Sequence, residues 1–121
     1  MEIPITTNIE KFYKQLMGVL SVYAPLNKLC SRELNVLIEF MILNYKFRDV
    51  PENVRSVVMF SKEEKEGICK RLKLTMNAFN NYLSLIRKKG LLSKDNKLPK
   101  FLNIIPENNE YIFKIVFKIK E

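Results

Sequence analysis

The sequence predicts an α+β fold that is mainly helical, with four helices followed by a carboxyl-terminal β-hairpin. Apolar residues recur at helical spacing through the first 46 residues, and two short capped helices are predicted over 61–89. Apolar and charged residues then alternate over 111–120, which is typical of a half-buried strand. The length and the 47% hydrophobic content suit a single domain over residues 1–121, with a helical extension (1–30) and a core (31–121).

The amino-terminal part carries two predicted helices. The first covers about 8–23 and opens with Thr7 and Glu10 at capping-box spacing. The second covers about 32–46 and is capped by Ser31. It is apolar on more than one side, which predicts a central position in the core.

The connection over 46–60 contains Pro51 and has no clear period. Its cluster of valines, which includes Val54, Val57 and Val58, predicts either a short strand or an ordered loop. This segment leads into the next helix cap.

The next two helices are joined by a tight turn. Ser61 and Glu64 stand at capping-box spacing at the start of the first. The pair Lys73–Leu74 forms the turn, and Thr75 caps the second helix. Gly90 follows the last cations and suits the left-handed position just beyond a helix.

The second helix of this pair is amphipathic. Its apolar stripe consists of Phe79, Tyr82, Leu83 and Ile86. The opposite side carries amides, a hydroxyl and a cation: Asn77, Asn81, Ser84 and Lys88. The stripe is predicted to be core, and the polar side is predicted to be exposed.

Beyond Gly90 the pattern changes to turns and strands. Residues 94–97 form a polar turn, and 98–105 is predicted to be an edge strand or an irregular segment because Pro99 interrupts it. A second turn over 106–110 leads into the strand over 111–120. The sequence therefore predicts a β-hairpin with lysines on its outer surface.

Over residues 31–120 this order of elements resembles a winged helix-turn-helix domain. The residues that carry the resemblance are Ile68-Cys69-Lys70-Arg71-Leu72, Lys73-Leu74-Thr75, Phe79, Asn80-Asn81-Tyr82-Leu83 and Ile86-Arg87-Lys88-Lys89-Gly90-Leu91-Leu92. The chain departs from that family at Lys73, where many members have glycine, and at Pro99 and Pro106 in the wing. A left-handed lysine costs about 1 kcal/mol, so a longer turn is predicted. The chain is also similar in style to small winged-helix proteins of tailed bacteriophages.

This resemblance and the residue chemistry imply a DNA-binding protein, a transcriptional regulator with helix 76–89 in the major groove of double-stranded DNA. The candidate nucleic-acid-binding residues are Lys70, Arg71, Lys73, Thr75, Asn77, Asn80, Asn81, Ser84, Arg87, Lys88, Lys89, Lys94 and Lys97. Asparagine pairs bidentately with adenine, whereas cations near a helix end contact phosphates. The alternative is that this helix face is exposed to solvent and contacts no nucleic acid.

The charge is concentrated in the half that holds the helix pair. The net charge is +8, with seven Lys and Arg against six Asp and Glu over residues 1–60, and 14 against seven over 61–121. A basic half favours a polyanionic partner. The alternative is a lysine-rich solvated surface.

Composition argues against catalysis and cofactors. Histidine is absent, no Gly-rich phosphate loop is present, and Cys30 and Cys69 are predicted to be buried, reduced thiols. The crowded carboxylates Glu63, Glu64 and Glu66 suit the first turn of a helix. We therefore predict no enzyme activity, metal, cofactor or small-molecule ligand, no membrane segment, and a cytoplasmic location, or the virion if the protein is viral.

Two further interpretations remain open. The winged-helix fold is also compatible with a structural or assembly protein of a phage virion, at a head–tail junction or capsid, in which the strand over 111–120 adds to another sheet. A homodimer that uses the apolar width of the first helix is compatible with either function.

Overall fold

The computed structural model describes residues 2–121, and in that range it is all-helical, with five α-helices and no β-sheet. The helices are α1 (Ile9–Leu20), α2 (Ser31–Lys46), α3 (Glu52–Met59), α4 (Lys62–Leu72) and α5 (Met76–Lys88). Two 3-10 turns cover Leu26–Lys28 and Lys100–Leu102. The predicted α+β class is therefore wrong, although the predicted helices around the turn at 73–75 are present.

Helix α2 lies at the centre of the bundle, because each of the other four helices contacts it. Its side chains are buried in several directions, and Leu37, Phe40 and Met41 are at most 1% exposed. The ring of Phe40 stacks on Phe60 with 4.2 Å between centroids and lies 6.1 Å from Phe79 of α5. The prediction that the second helix is central is confirmed, since its wide apolar surface is covered on several sides.

Two helices start one residue away from the predicted caps. Asn8, not Thr7, caps α1, and its side-chain oxygen accepts a first-turn backbone N–H at 2.9 Å. Helix α2 begins at Ser31 itself, with Cys30 at the N-cap position and its backbone N–H donating to Glu33 Oε1 at 2.8 Å. In addition, α1 ends at Leu20 and not near residue 23, because a turn intervenes before the next 3-10 segment.

Helix α3 replaces the strand or ordered loop predicted over 46–60. Pro51 stands immediately before its first residue with φ −51°, a backbone angle that is compatible with a helix start. Val54 and Val57 favour a strand by propensity, yet they lie exposed on the helix. Because residues 2–121 offer no neighbouring strand to pair with, hydrogen bonds within the segment satisfy its backbone.

The predicted β-hairpin wing is absent from residues 2–121, because the segment that would form its first strand packs into the core instead. Pro99 leads into the 3-10 turn at Lys100–Leu102, and the Leu102 side chain is completely buried. The carbonyl oxygen of Ile104 accepts a 2.6 Å hydrogen bond from the hydroxyl of Tyr13, which is also completely buried. These contacts tie the segment to α1 and remove it from strand pairing.

The chain then makes one hairpin-type turn and continues as an exposed tail. Asn108 and Asn109 have φ of 53° and 59°, the two left-handed residues expected in a type I′ turn. Glu107 and Glu110 form an isolated antiparallel bridge across this turn. Pairing ends at that bridge, and residues 111–121, which we call the tail, are exposed and extend without a strand partner in the described chain.

Candidate nucleic-acid interface

Helices α4 and α5 form the predicted helix pair, and local capping fixes the turn between them. Lys73 adopts the left-handed conformation (φ 56°, ψ 47°), and the backbone N–H of Leu74 donates to the Cys69 carbonyl at 2.9 Å. Thr75 Oγ1 then accepts the Ala78 N–H at 3.1 Å at the start of α5. The turn is therefore short, and the predicted lengthening around Lys73 is wrong.

The start of α4 confirms half of the predicted capping box. Ser61 Oγ accepts the backbone N–H of Glu64 at 3.4 Å. The Glu64 carboxylate does not return to Ser61 and forms an ion pair with Lys46 Nζ of α2 at 3.0 Å. The cap is thus local, while the carboxylate links α4 to the central helix.

Gly90 ends α5 in the predicted left-handed conformation, with φ 77°. Its backbone N–H donates to the Arg87 carbonyl at 3.0 Å, and the Leu91 N–H donates to the Ile86 carbonyl at 3.1 Å. This pair of hydrogen bonds is the Schellman arrangement. Leu91 is then buried in the core, so both ends of α5 are held in place.

The two faces of α5 lie as the spacing predicts. Phe79, Leu83 and Ile86 are at most 2% exposed, and Tyr82 is half-buried against the core. The opposite side is exposed and carries Asn77, Asn80, Asn81, Ser84 and Lys88. We call these five residues the polar face of α5. Helix α5 contains no acidic residue, so its formal charge comes only from cations at its carboxyl end.

Arg87 faces a turn of the same chain. Its guanidinium donates to Oδ1 of Asn96, with 3.0 Å between Nε and the oxygen. Asn96 lies in a tight turn closed by Ser93, whose backbone N–H donates to the Lys97 carbonyl at 3.0 Å. Arg87 therefore positions the short polar turn that displays Lys94 and Lys97 beside the end of α5.

Lys89 is engaged by a carboxylate that the sequence did not single out. Its Nζ lies 2.8 and 3.0 Å from the carboxylate oxygens of Glu33 and 2.9 Å from the carbonyl of Lys28. The Glu33 side chain is only 2% exposed. Burial acts to raise the pKa of Glu33, but the hydrogen bonds from Lys89 and the Cys30 backbone outweigh it and hold this pKa below its ordinary range. This pair fastens the end of α5 to the start of α2.

Arg71 is also paired with α2. Its Nη2 lies 2.9 Å from Glu39 Oε2 and its Nε lies 3.2 Å from the same oxygen. The hydrogen bonds to Glu39 raise the pKa of Arg71. Like Lys89, Arg71 is a predicted nucleic-acid-binding residue whose side chain is paired with a carboxylate of the same chain.

Besides Arg71, which is exposed but paired with Glu39, five of the candidate cations are exposed: Lys70, Lys73, Lys88, Lys94 and Lys97. None of them forms an ion pair within residues 2–121. Lys70 and Lys73 lie at the end of α4 and in the turn before α5. The other three lie at the opposite end of α5 or in the turn that Arg87 holds. The polar face therefore has exposed positive charge at both ends.

The thiols differ from the prediction at one position. Cys69 is buried, as predicted, and burial raises its pKa. Cys30 is exposed, because the N-cap of α2 lies at the surface. Across residues 2–121 no group of three or more Cys, Asp or Glu side chains is arranged to hold a metal ion.

Comparison with known proteins adds no relative: no family model, curated protein or solved structure matches this chain. Across the described part of the chain, no helix has both the length and the apolar character needed to cross a membrane. The assignment of a function therefore depends on the residues of the interface itself.

Proposed function

We propose that the protein binds double-stranded DNA with the polar face of α5 in the major groove and acts as a transcriptional regulator. The observation that carries the proposal is this exposed, acid-free face, backed by a buried stripe that holds the helix rigidly. A major groove admits an α-helix, and Asn side chains such as Asn77 and Asn81 match the edge of adenine.

Phosphate contacts would come from the five exposed cations at the two ends of α5. A 13-residue helix is about 20 Å long, so these ammonium groups bracket a surface comparable to a groove and its two flanking phosphate chains. The backbone N–H groups at the start of α5 add a favourable position for one phosphate beside Thr75. Positive charge at both ends supports docking along the length of the helix.

Arg71, Arg87 and Lys89 have a different role in this proposal. Their hydrogen bonds to Glu39, Asn96 and Glu33 hold α4, the polar turn and α5 in place. Reversing their charge would disturb the fold together with any interface. The clean test therefore uses exposed cations that have no intramolecular ion pair.

The test compares two double charge reversals in the full chain. Lys70→Glu with Lys88→Glu changes the proposed interface, and Lys11→Glu with Lys14→Glu makes the same change in net charge on the exposed side of α1. Fluorescence anisotropy with a labelled random duplex measures the dissociation constant, and circular dichroism checks the fold. We expect the interface variant to lose about tenfold or more in affinity and the α1 variant to lose less than about threefold. Equal losses in both variants would show that binding, if present, is not located at α5.

A second candidate function is a structural or assembly component of a virion. The observation that favours it is the exposed apolar tail, which suits contact with another protein more than contact with DNA. Sedimentation of the purified protein with and without duplex DNA separates the two functions. A complex of one or two chains with DNA supports the first, and DNA-independent assembly beyond a dimer supports the second.

A further inference from the structure

The tail is the largest continuous apolar feature left uncovered in the described chain. Phe117 is 78% exposed and Ile119 is 87% exposed, although both are large hydrophobic residues. The odd-numbered positions from 111 to 119 form one wholly apolar face: Tyr111, Phe113, Ile115, Phe117 and Ile119. An alternating segment of this kind is normally half-buried in a sheet, so it requires a partner strand.

Residues 2–121 do not supply that partner. The type I′ turn at Asn108 and Asn109 would normally pair the tail with the segment before it. That segment is already committed, through buried Leu102 and the Tyr13 hydrogen bond to Ile104. The amino-terminal stretch over 2–7, which has no regular secondary structure, is shorter than the tail and contains Pro4, which lacks a backbone donor. Within residues 2–121, no segment is therefore available to pair with the tail.

We propose that two copies of the chain pair their tails as antiparallel strands, centred on Ile115 facing Ile115 of the second copy. Strand pairing keeps the apolar faces together only if odd-numbered residues lie opposite odd-numbered ones. The register centred on Ile115 places Phe113 opposite Phe117 and Tyr111 opposite Ile119. It also places the Glu110 carboxylate opposite the Lys120 ammonium group, which adds an opposite-charge pair at each end.

Lysine positions disfavour three neighbouring antiparallel registers, and a register centred on residue 113 sets residues 116–120 opposite the turn over 106–110. A register centred on residue 116 sets Lys114 opposite Lys118, and one centred on residue 114 sets Lys114 opposite itself. A register centred on residue 117 sets Lys114 opposite Lys120. A parallel in-register pair would stack all three lysines on their counterparts. Like charges directly opposite each other are destabilising, so these alternatives are disfavoured.

A two-stranded ribbon needs a surface to cover its apolar face, and α1 offers one. The Tyr111 ring already lies 5.4 Å from the Phe12 ring of α1, edge to face. Tyr111 belongs to the apolar face of the tail, so that face is directed toward α1 where the tail begins. Farther along α1, Val19 is 42% exposed, and Tyr23 in the turn beyond the helix is 58% exposed. These side chains provide apolar area for the ribbon of the dimer.

The register is tested by cysteine cross-linking of the full chain in a Cys30→Ser background, which removes the exposed native thiol. Ile115→Cys places two thiols directly opposite each other and should give a disulfide-linked dimer under mild oxidation. Val116→Cys and Lys114→Cys are matched controls that should cross-link weakly alone and efficiently when mixed. Preferential cross-linking of either control alone would overturn the proposed register.

Sedimentation equilibrium of the unmodified protein tests the association itself, without DNA. We expect a monomer–dimer equilibrium, and we expect Ile115→Lys to raise its dissociation constant about tenfold or more because the charge enters the apolar face. Circular dichroism should show an unchanged helical body, since Ile115 is already 52% exposed in one chain. A protein that stays monomeric at about 100 μM, or that binds its tail only to a different protein or to lipid vesicles, would contradict the proposal. Neither result depends on whether α5 binds DNA.

Discussion

The helical body and the tail contain the same kinds of side chain in opposite surroundings. Phe79 of α5 is completely buried, whereas Phe117 of the tail is 78% exposed. Both belong to regular apolar patterns, one at helical spacing and one alternating. The apolar stripe of α5 packs against α2, which lies beside it. The alternating residues of the tail need a strand partner, and the segment that precedes them is packed against α1. An apolar pattern thus predicts that a segment packs against a partner, but it does not predict which segment or molecule the partner is.

The largest difference between the two regions should appear on truncating these phenylalanines. Phe79→Ala leaves a cavity in the core and should lower the free energy of unfolding by about 3–5 kcal/mol. Phe117→Ala should change it by less than about 0.5 kcal/mol, because the ring has little contact to lose in a single chain. Urea unfolding followed by circular dichroism, at concentrations low enough to keep the protein monomeric, measures both. Similar losses in the two variants would mean that the tail packs on the body.

The part-buried ion pair at the end of α5 should give the next largest effect. Glu33→Ala removes the partner of Lys89, which is 30% exposed, and the acceptor of the Cys30 backbone N–H, and it should cost about 1–3 kcal/mol. Glu63→Ala is the matched control on an exposed carboxylate and should change stability by less than about 0.5 kcal/mol. Urea midpoints of the two variants at neutral pH test the difference.

The same carboxylate predicts an acid-sensitive contribution to stability. The folded-state pKa of Glu33 lies below its ordinary value of about 4.3, so its contribution is complete above that pH and is lost as the pH falls through the folded value. Urea midpoints of the native chain should therefore fall more steeply below about pH 4.3 than those of Glu33→Gln. Parallel pH profiles for the two proteins would contradict this assignment.

The hydrogen bond from Tyr13 to Ile104, which holds the segment before the tail against α1, should give a smaller effect. Tyr13→Phe leaves the Ile104 carbonyl without its donor and should cost about 1 kcal/mol. Amide exchange should rise mainly in residues 103–106, where the segment is released, and little within α2. Unchanged exchange there would show that the burial of Leu102 alone holds the segment in place.

Effects of similar or smaller size concern the two left-handed residues that end α4 and α5. Lys73→Gly should raise the free energy of unfolding by about 0.5–1 kcal/mol, because glycine adopts φ 56° without strain. Gly90→Ala should lower it by about 1 kcal/mol, and the cost is conformational, since an added Cβ meets no atom of residues 2–121 within 4 Å. Thermal unfolding of both variants measures the changes. Melting temperatures that shift in the same direction would contradict the conclusion that glycine is favoured at both positions.

The parts of the fold that the sequence predicts correctly are those with local causes. The cap at Thr75, the left-handed Gly90 and the two faces of α5 depend on residues within one or two helical turns. The absent wing depends on a hydrogen bond between Tyr13 and Ile104, which lie 91 residues apart. No periodicity within either segment indicates that contact.

The candidate site likewise has features with local causes, which the sequence predicts, and features that depend on distant contacts, which it does not. Spacing along α5 predicts which side chains face outward, and the structure places Asn77, Asn81 and Lys88 there. Spacing does not reveal that Lys89 meets Glu33 across 56 residues of sequence, or that Arg71 meets Glu39 across 32. The charge count therefore overstates the cations available to a partner. The one feature of the sequence that could have indicated these ion pairs is the presence of carboxylates on the predicted central helix.

The salt dependence of DNA binding by the full chain tests the proposed interface most directly. Titration of a labelled random duplex at several NaCl concentrations between 50 and 300 mM gives the slope of log Kd against log salt concentration. If the five exposed cations at the ends of α5 each contact a phosphate, Kd should rise with a slope of about 4–5. No binding at the lowest salt concentration, or binding with a slope near zero, would contradict the assignment of α5 as a nucleic-acid interface.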